Sequence, residues 1–249
     1  MQLLIGYAST RNEFCLPNRR ERENVKDKLF DEWPETYDRW FTTPIGALVK
    51  HYEAELILDL LRPACGELIL DAGCGTGIFT LDILAGDSMV IGLDLSVPML
   101  RHGKKKAGQA PFEVVAGDVL MLPFPGGVFD KVVSITALEF VSDARAAIDE
   151  LFRVTKRGGC IVVATLNSLS PWATRRKEEA RKGHKLFQKA FFRSPDEMLS
   201  FAPVPGIART AIHFQKDDDP KKAAEIESEG RKRNSNTGAF VAVRWQKPL

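Results

Sequence analysis

From residue 67 onward, short β-rich runs alternate with helical stretches. The runs are ELILDAG, SMVIGLDLS, FEVVAGD, FDKVVSITAL and GGCIVVATL, each of strand length. Between them, apolar residues recur at helical spacing and predict helices over 78–84, 97–106 and 144–155. Strands that alternate with helices form a parallel sheet through right-handed crossovers. The pattern predicts an open, doubly wound α/β fold that binds ligands at the carboxyl ends of its strands.

A helical layer is predicted before this sheet. Apolar residues repeat at helical spacing over 45–61 until an Arg-Pro pair stops the helix. The opening residues lack the basic start and long apolar run of a signal peptide. We therefore expect a flexible arm over 1–27 and one domain over 28–249, with a helical cover over 28–62.

The last third of the chain predicts two further strands. They lie over 207–214 and 239–245, and we expect them to pair as neighbours. The insert between them carries balanced charges, and its AAEIESEGRKR portion favours a solvated helix. A basic, aromatic-rich stretch over 172–193 precedes both strands.

Composition indicates a globular protein. Of the 249 residues, 44% are apolar and 27% are charged, which excludes disordered, collagen-like and coiled-coil classes. The 35 Lys and Arg residues nearly cancel 33 Asp and Glu residues, for a net charge of +2. Such a balance produces no global field that marks a nucleic-acid or membrane-surface protein.

The cysteines indicate a reducing compartment. Cys15, Cys65, Cys74 and Cys160 are far apart and lack the spacing of a zinc site or a disulfide framework. The apolar stretches are too short for a membrane span. We expect a cytoplasmic protein without a metal site.

The segment LILDAGCGTG, from Leu68 to Gly77, is the sharpest local signal. A buried strand runs into a glycine turn and then a helix, which aims backbone N–H groups at a bound nucleotide or carboxylate. A dinucleotide fingerprint requires glycine at position 78, where this chain has Ile78, and Asp71 precedes the turn. A phosphate-binding P-loop requires a lysine that is absent here. Both NAD binding and ATP hydrolysis are therefore disfavoured.

Acidic residues end three successive predicted strands. Asp71 precedes the glycine turn, Asp94 suits a ribose diol, and Asp118 suits the exocyclic amine of adenine, with the Val119 backbone at a ring nitrogen. Three carboxylates would repel a pyrophosphate but attract a cationic sulfonium with an amino-acid tail. The cluster therefore indicates S-adenosylmethionine.

In these motifs the sequence resembles the class I S-adenosylmethionine-dependent methyltransferases, especially the small-molecule group related to the quinone C-methyltransferases (methyltransferase type 11). The resemblance covers roughly Phe30 to Thr165 and includes LILDAGCGTG, GLDLSVPML, GDVLMLPFPGGVFDKVVSITALEFV and ELFRVTKRGGCIVVAT in order. It implies a Rossmann-like, mostly parallel sheet of seven strands in the order 3-2-1-4-5-7-6. It also implies methyl transfer to a small molecule, with S-adenosylhomocysteine as the product.

The resemblance carries over a set of cofactor-binding positions. They are Tyr37, Asp71, Gly73, Cys74, Gly75, Gly77, Asp94, Leu95, Met99, Asp118, Val119, Thr136 and Leu138. Tyr37 resembles an aromatic residue that closes over the cofactor, although simple packing explains it equally well. Relatives commonly carry a histidine near the end of the fourth motif, where this chain reads Ala-Leu-Glu-Phe, so no histidine role is carried over.

The methyl acceptor is less defined. In-line methyl transfer requires positioning and exclusion of water rather than a universal base. Glu139, His184 and Tyr37 are candidate bases, but no catalytic residue is assigned. Phe140, Trp172 and His184 are candidate substrate contacts. The other histidines, His51, His102 and His213, are interpreted as surface or packing residues.

The basic stretch predicts a substrate lid over 170–200. Eight Lys and Arg residues against two Glu residues give 172–193 a local charge near +6. This charge suits an anionic substrate, although an amphipathic solvated helix explains it too. RNA methylation is disfavoured because the fourth strand is not followed by an Asn-Pro-Pro-aromatic motif. A regulatory protein that binds the cofactor without turnover remains an alternative.

Overall fold

The computed structural model describes residues 29–249; the predicted arm over 1–27, including Cys15, lies outside the described residues. The strands are β1 Leu68–Ala72, β2 Met89–Asp94, β3 Phe112–Ala116, β4 Phe129–Ile135, β5 Thr155–Leu166, β6 Gly206–Ala211 and β7 Phe240–Gln246. The helices are α1 Pro34–Trp40, α2 Pro44–Leu61, α3 Thr80–Leu84, α4 Val97–Ala107, α5 Ala144–Val154, α6 Pro171–Arg181, α7 Lys185–Gln188, α8 Pro195–Leu199 and α9 Pro220–Lys232. A short 3-10 helix spans Leu138–Phe140.

The seven strands form one sheet in the order β3-β2-β1-β4-β5-β7-β6. Strands β1 to β5 are parallel to one another, and β7 runs antiparallel to both β5 and β6. The predicted order and the pairing of the last two strands are confirmed. Asp71 pairs with Gly92, and Asp94 pairs with Ala116. This register places the carboxyl ends of β1, β2 and β3 side by side at the same end of the sheet.

Helices cover both faces of the sheet. On one face, α2, α3 and α9 pack through residues such as Ile57, Ile83 and Ala223. On the other face, α5 and α8 pack through residues such as Leu151 and Met198. The central strands are thus buried on both sides, which explains their nearly continuous apolar sequence.

Several predicted boundaries differ from the structure by one to three residues, and two of these differences have a local cause. The strand predicted over 207–214 ends at Ala211 because Ile212 adopts a left-handed conformation with φ of 65°, which turns the chain out of the sheet. The helix predicted from residue 78 begins at Thr80, because residues 78 and 79 still belong to the turn that follows the glycine loop.

None of the helices within residues 29–249 has the length and apolar character needed to cross a membrane. The same residues contain no cluster of three or more metal-ligating side chains.

Candidate active site

The glycine loop after β1 presents its backbone to an open cavity. Gly73 and Gly75 have φ values of 82° and 52°, which glycine adopts without steric strain. The N–H of Gly73 donates to the Leu93 carbonyl at 2.6 Å and holds the loop against β2. A Cβ on Gly73 would lie 2.3 Å from the Ala137 side chain, whereas one on Gly75 would meet no atom within 4 Å. The loop is therefore open to a ligand at Gly75.

Asp94, at the end of β2, fixes the glycine loop from the other side. Its Oδ2 accepts from the Gly75 N–H at 2.9 Å, and its Oδ1 accepts from the Ser96 N–H at 2.8 Å. Burial raises the pKa of this carboxyl, and these backbone donors partly oppose the shift. Each oxygen keeps a second lone pair, so Asp94 can still accept from two hydroxyl groups.

Asp71 is a buried carboxyl without a cationic partner. It is only 2% exposed, and its Oδ2 accepts from the Thr80 hydroxyl at 2.6 Å. Its Oδ1 is buried and accepts no hydrogen bond from residues 29–249. Burial raises the pKa of Asp71 to about 7, with a smaller contribution from the charge of Asp94. An unpaired carboxyl at the cavity wall fits a ligand with a positive charge, as the amino-acid end of S-adenosylmethionine has.

One cavity of about 770 Å³ joins the predicted positions. Asp118, at the end of β3, lines the cavity, and its Oδ1 accepts from the Leu120 N–H at 2.9 Å. Most of the predicted cofactor positions line the same cavity, namely Tyr37, Asp71, Gly73, Cys74, Gly75, Asp94, Leu95, Met99, Asp118, Val119 and Thr136. The volume lies within the usual range for small-molecule sites.

Helix α1 lies across this cavity and forms polar contacts with residues around it. The Tyr37 hydroxyl lies 3.4 Å from the Thr136 Oγ1. Asp38 accepts from the Thr76 hydroxyl at 2.6 Å and pairs with Lys106 at 2.7 Å. Burial raises the pKa of Tyr37 above its usual range, so this phenol stays protonated at neutral pH. Its protonated state weakens Tyr37 as a candidate base.

Two predicted cofactor positions do not line the cavity. Leu138 is fully buried in the core on the α5 side, because the 3-10 helix turns its side chain inward. Gly77, with φ of 66°, closes the loop near the Phe112 ring. These two residues therefore support the site from outside the cavity lining.

The candidate substrate residues Phe140, Trp172 and His184 all line the cavity. His184 is exposed, and its ring stacks on Phe187 at 4.3 Å. The histidines interpreted as packing or surface residues do not line the cavity, and one of them, His102, lies 3.3 Å from Asp38.

The cavity also brings together charged residues whose proximity the sequence did not indicate. Glu139 accepts from the Thr165 hydroxyl at 3.0 Å, and burial raises its pKa to about 7. Glu53 and Arg176 line the same cavity and were not predicted. Burial raises the pKa of Glu53 to about 8 and lowers that of Arg176.

The helical spacing of the sequence could have indicated that Glu53 and Arg176 face the interior of the protein. Glu53 lies four residues after Val49 on the apolar face of α2. Arg176 lies four residues after the buried Trp172 on α6. A charged residue on the buried face of a helix is therefore a site candidate.

The carboxyl ends of the parallel strands, the glycine loop and the three acids near these ends line one cavity, whose chemistry suits a nucleoside. Residues 70–163 match the family model described as "Methyltransferase domain". This stretch of the chain is thus similar to methyltransferase domains, in agreement with the resemblance of its sequence motifs.

Relatives with two different acceptors share this part of the chain. A demethylmenaquinone methyltransferase from Beutenbergia cavernae is 40% identical over 146 residues, which cover 58% of this chain and 59% of the relative. A malonyl-[acyl-carrier protein] O-methyltransferase from Erwinia pyrifoliae is 41% identical over 112 residues, which cover 45% of this chain and 42% of the relative. The chain thus spans about half the length of these relatives.

Solved structures share the fold over more of the chain. A S-adenosylmethionine-dependent methyltransferase from Thermotoga maritima aligns with a TM-score of 0.65 and 21% identity, covering 88% of this chain and 97% of its own. A Haemonchus contortus phosphoethanolamine N-methyltransferase, solved with S-adenosylhomocysteine, aligns with a TM-score of 0.59 and 15% identity, covering 87% of this chain and 60% of its own.

Proposed function

We propose that this protein is an enzyme that transfers a methyl group from S-adenosylmethionine to a small-molecule acceptor. The observation that carries the proposal is one cavity of about 770 Å³, lined by the glycine loop, the three acids at strand ends and the lid helix α6. When bound, S-adenosylmethionine supplies an electrophilic methyl group on its sulfonium. The protein holds both partners in contact and excludes water from them.

Each region of the cavity suits one part of the cofactor. The unpaired carboxyl of Asp71 and the loop at Gly75 suit the ammonium and carboxylate of the methionine portion. Asp94 suits the ribose diol, with Leu95 and Met99 beside it. Asp118 and Val119 suit the adenine. Further residues complete the proposed cofactor site around these positions, namely Tyr37, Gly73, Cys74, Gly77, Thr136 and Leu138.

Residues 170–200 act as a substrate lid in this proposal. The demethylmenaquinone and malonyl-[acyl-carrier protein] methyltransferases are named for different acceptors, so they support the reaction and leave the acceptor open. Several basic groups of the lid are engaged within the protein, which disfavours RNA as the substrate. Arg193 donates to the carbonyls of Leu138 and Val141, and Arg175 pairs with Asp217.

We place the protein in the cytoplasm as part of the same proposal. The cysteines of the described residues, Cys65, Cys74 and Cys160, are free thiols. Free thiols are typical of a reducing compartment.

Calorimetric titration with S-adenosylmethionine and S-adenosylhomocysteine, with NAD as a control ligand, tests the cofactor. Wild-type protein should bind both sulfur nucleosides and not NAD. Asp94→Ala should weaken binding by about 1.5–3 kcal/mol because it removes charge-assisted hydrogen bonds. Asp149→Ala, at an exposed position of α5, is the matched control. Absence of binding in the wild type, or equal affinities in wild type and Asp94→Ala, contradicts the cofactor assignment.

Turnover with a panel of thiols, phenols, quinols and carboxylic acids then separates an enzyme from a regulator. Production of S-adenosylhomocysteine that depends on one acceptor supports the enzyme. Tight cofactor binding without turnover across the whole panel favours a regulatory protein instead.

A further inference from the structure

Three charged side chains from three separate elements form an electrostatic group of their own in the cavity. Glu53 comes from α2, Glu139 from the 3-10 helix and Arg176 from α6. Glu53 interacts electrostatically with Glu139 and Arg176, whereas Asp71 interacts with Asp94. The cavity thus has a second polar region besides the proposed cofactor site.

Arg176 is attracted by the acids of this group, but one of its donors is not hydrogen-bonded. Its Nη1 is buried and makes no hydrogen bond with any of the described residues. Its guanidinium lies 5.1 Å from the centre of the Trp172 ring and 5.7 Å from that of Phe187. Two aromatic rings therefore hold the group in place while one of its donors stays open. A buried guanidinium donor without an acceptor is unfavourable, so a ligand that supplies an acceptor is expected at Nη1.

The charge around Arg176 selects the sign of that ligand. Burial raises the pKa of Glu53 to about 8 and of Glu139 to about 7, so these two acids carry less negative charge near pH 7 than two exposed carboxyls would. Glu179 also attracts Arg176, but it pairs with Arg175 at 3.3 Å. The lysines Lys189 and Lys216 line the same cavity and add positive charge. Asp71, Asp94 and Asp118 line the same cavity but belong to the proposed cofactor site. At the Arg176 end, the positive groups and the open Nη1 donor favour an anion over a cationic amine.

We propose that Arg176 is the specificity-determining residue of the acceptor subsite and that it binds an acceptor with an anionic oxygen group, such as a carboxylate. This inference rests on the proposed methyltransferase function, since it assigns the second ligand of the same cavity.

Ligand discrimination tests the inference with benzoate, benzamide and benzylamine as probes of matched shape. Calorimetric titrations are run on protein saturated with S-adenosylhomocysteine. Wild-type protein should bind benzoate about 10-fold or more tightly than benzamide or benzylamine. Arg176→Gln should lose this preference. Arg181→Gln, an exposed position at the end of the same helix and outside the cavity lining, should keep it.

A variant that keeps the positive charge at position 176 distinguishes the loss of charge from a general structural effect of the substitution. Arg176→Lys should retain a preference for benzoate over benzamide, because the lysine restores the positive charge on a stem of similar length. Melting temperatures and S-adenosylhomocysteine affinity are measured for every variant. We expect Arg176→Gln to bind S-adenosylhomocysteine with wild-type affinity, since Arg176 lies outside the proposed cofactor positions.

Two results would overturn the inference. One is a preference for benzamide or benzylamine, or no benzoate binding up to about 10 mM, in wild-type protein that binds S-adenosylhomocysteine. The other is a benzoate preference that survives in Arg176→Gln. Failure of wild-type protein to bind S-adenosylhomocysteine at all contradicts the proposed function, so the two failures are distinguishable.

Discussion

Replacing Asp71 with asparagine should make the ligand-free protein more stable at alkaline pH. The Asp71 carboxyl is buried, accepts one hydrogen bond from Thr80 and leaves its Oδ1 without a partner. Burial raises its pKa from 3.8 to about 7 in the folded state. The folded protein therefore binds more protons than the unfolded chain between these values, and stability falls as pH rises. Asparagine keeps the shape and the acceptor for Thr80 but has no charge to bury.

The size of the effect follows from linkage. Between roughly pH 5.5 and pH 8.5, a carboxyl with these two pKa values lowers the free energy of unfolding by about 2 kcal/mol. Glu53 and Glu139 also have raised pKa values and contribute in the same direction. The stability of Asp71→Asn should therefore still fall with pH, but by about 2 kcal/mol less than that of the wild type.

Urea unfolding at several pH values measures this difference without ligand. Asp149→Asn, at an exposed position of α5, serves as the control and should stay within about 0.5 kcal/mol of wild type at each pH. Asp71→Asn should also bind S-adenosylhomocysteine less tightly, because the carboxyl is retained for ligand binding at the expense of stability. Parallel stability curves for wild type and Asp71→Asn would refute the reasoning.

Two further substitutions test the loop and its cover. Gly73→Ala places a Cβ 2.3 Å from the Ala137 side chain at a φ of 82°, so urea unfolding should show a loss of about 1–3 kcal/mol. Asp38→Ala removes the contacts of α1 with Thr76 and Lys106, so hydrogen exchange in α1 should accelerate while exchange in β4 stays unchanged. Unaltered stability in the first case, or unaltered exchange in the second, contradicts the assigned contacts.

The sheet and the cofactor end of the cavity could be predicted from local sequence because their geometry is local. A buried strand that ends in an acid places this acid at the carboxyl edge, and the parallel register aligns successive edges. Asp71, Asp94 and Asp118 were therefore predictable from the strand ends alone. The end of β6 was not, because the left-handed turn at Ile212 has no glycine or asparagine to signal it.

The acceptor end of the cavity depends on tertiary packing. Glu53 and Arg176 lie more than a hundred positions apart, and each local pattern shows only a charge on an apolar helix face. Their meeting follows from the position of the lid helix α6 over the cavity, which no local periodicity specifies.

The basic charge of the lid shows the same limit of sequence reasoning. Summation over 172–193 gives about +6 and treats all eight cations alike. In the structure Arg193 is 4% exposed and satisfied by backbone carbonyls, Arg175 forms ion pairs, and Arg176 points into the cavity. Only position in the fold distinguishes a structural cation from one that is open to a ligand.

Asp71 and Arg176 line the same cavity, and each lacks a hydrogen-bond partner within residues 29–249 for one polar atom. Asp71 is buried and Arg176 is half-buried, and each has one buried polar atom that makes no hydrogen bond with the described residues. The two groups have opposite charge. A cofactor with an ammonium group satisfies Asp71 and leaves Arg176 open, whereas an anionic acceptor does the reverse. Since neither ligand alone removes both deficits, the two proposals together imply that a cationic cofactor and an anionic acceptor bind at the same time. The attraction between these two ligands then favours their close approach, which in-line methyl transfer requires.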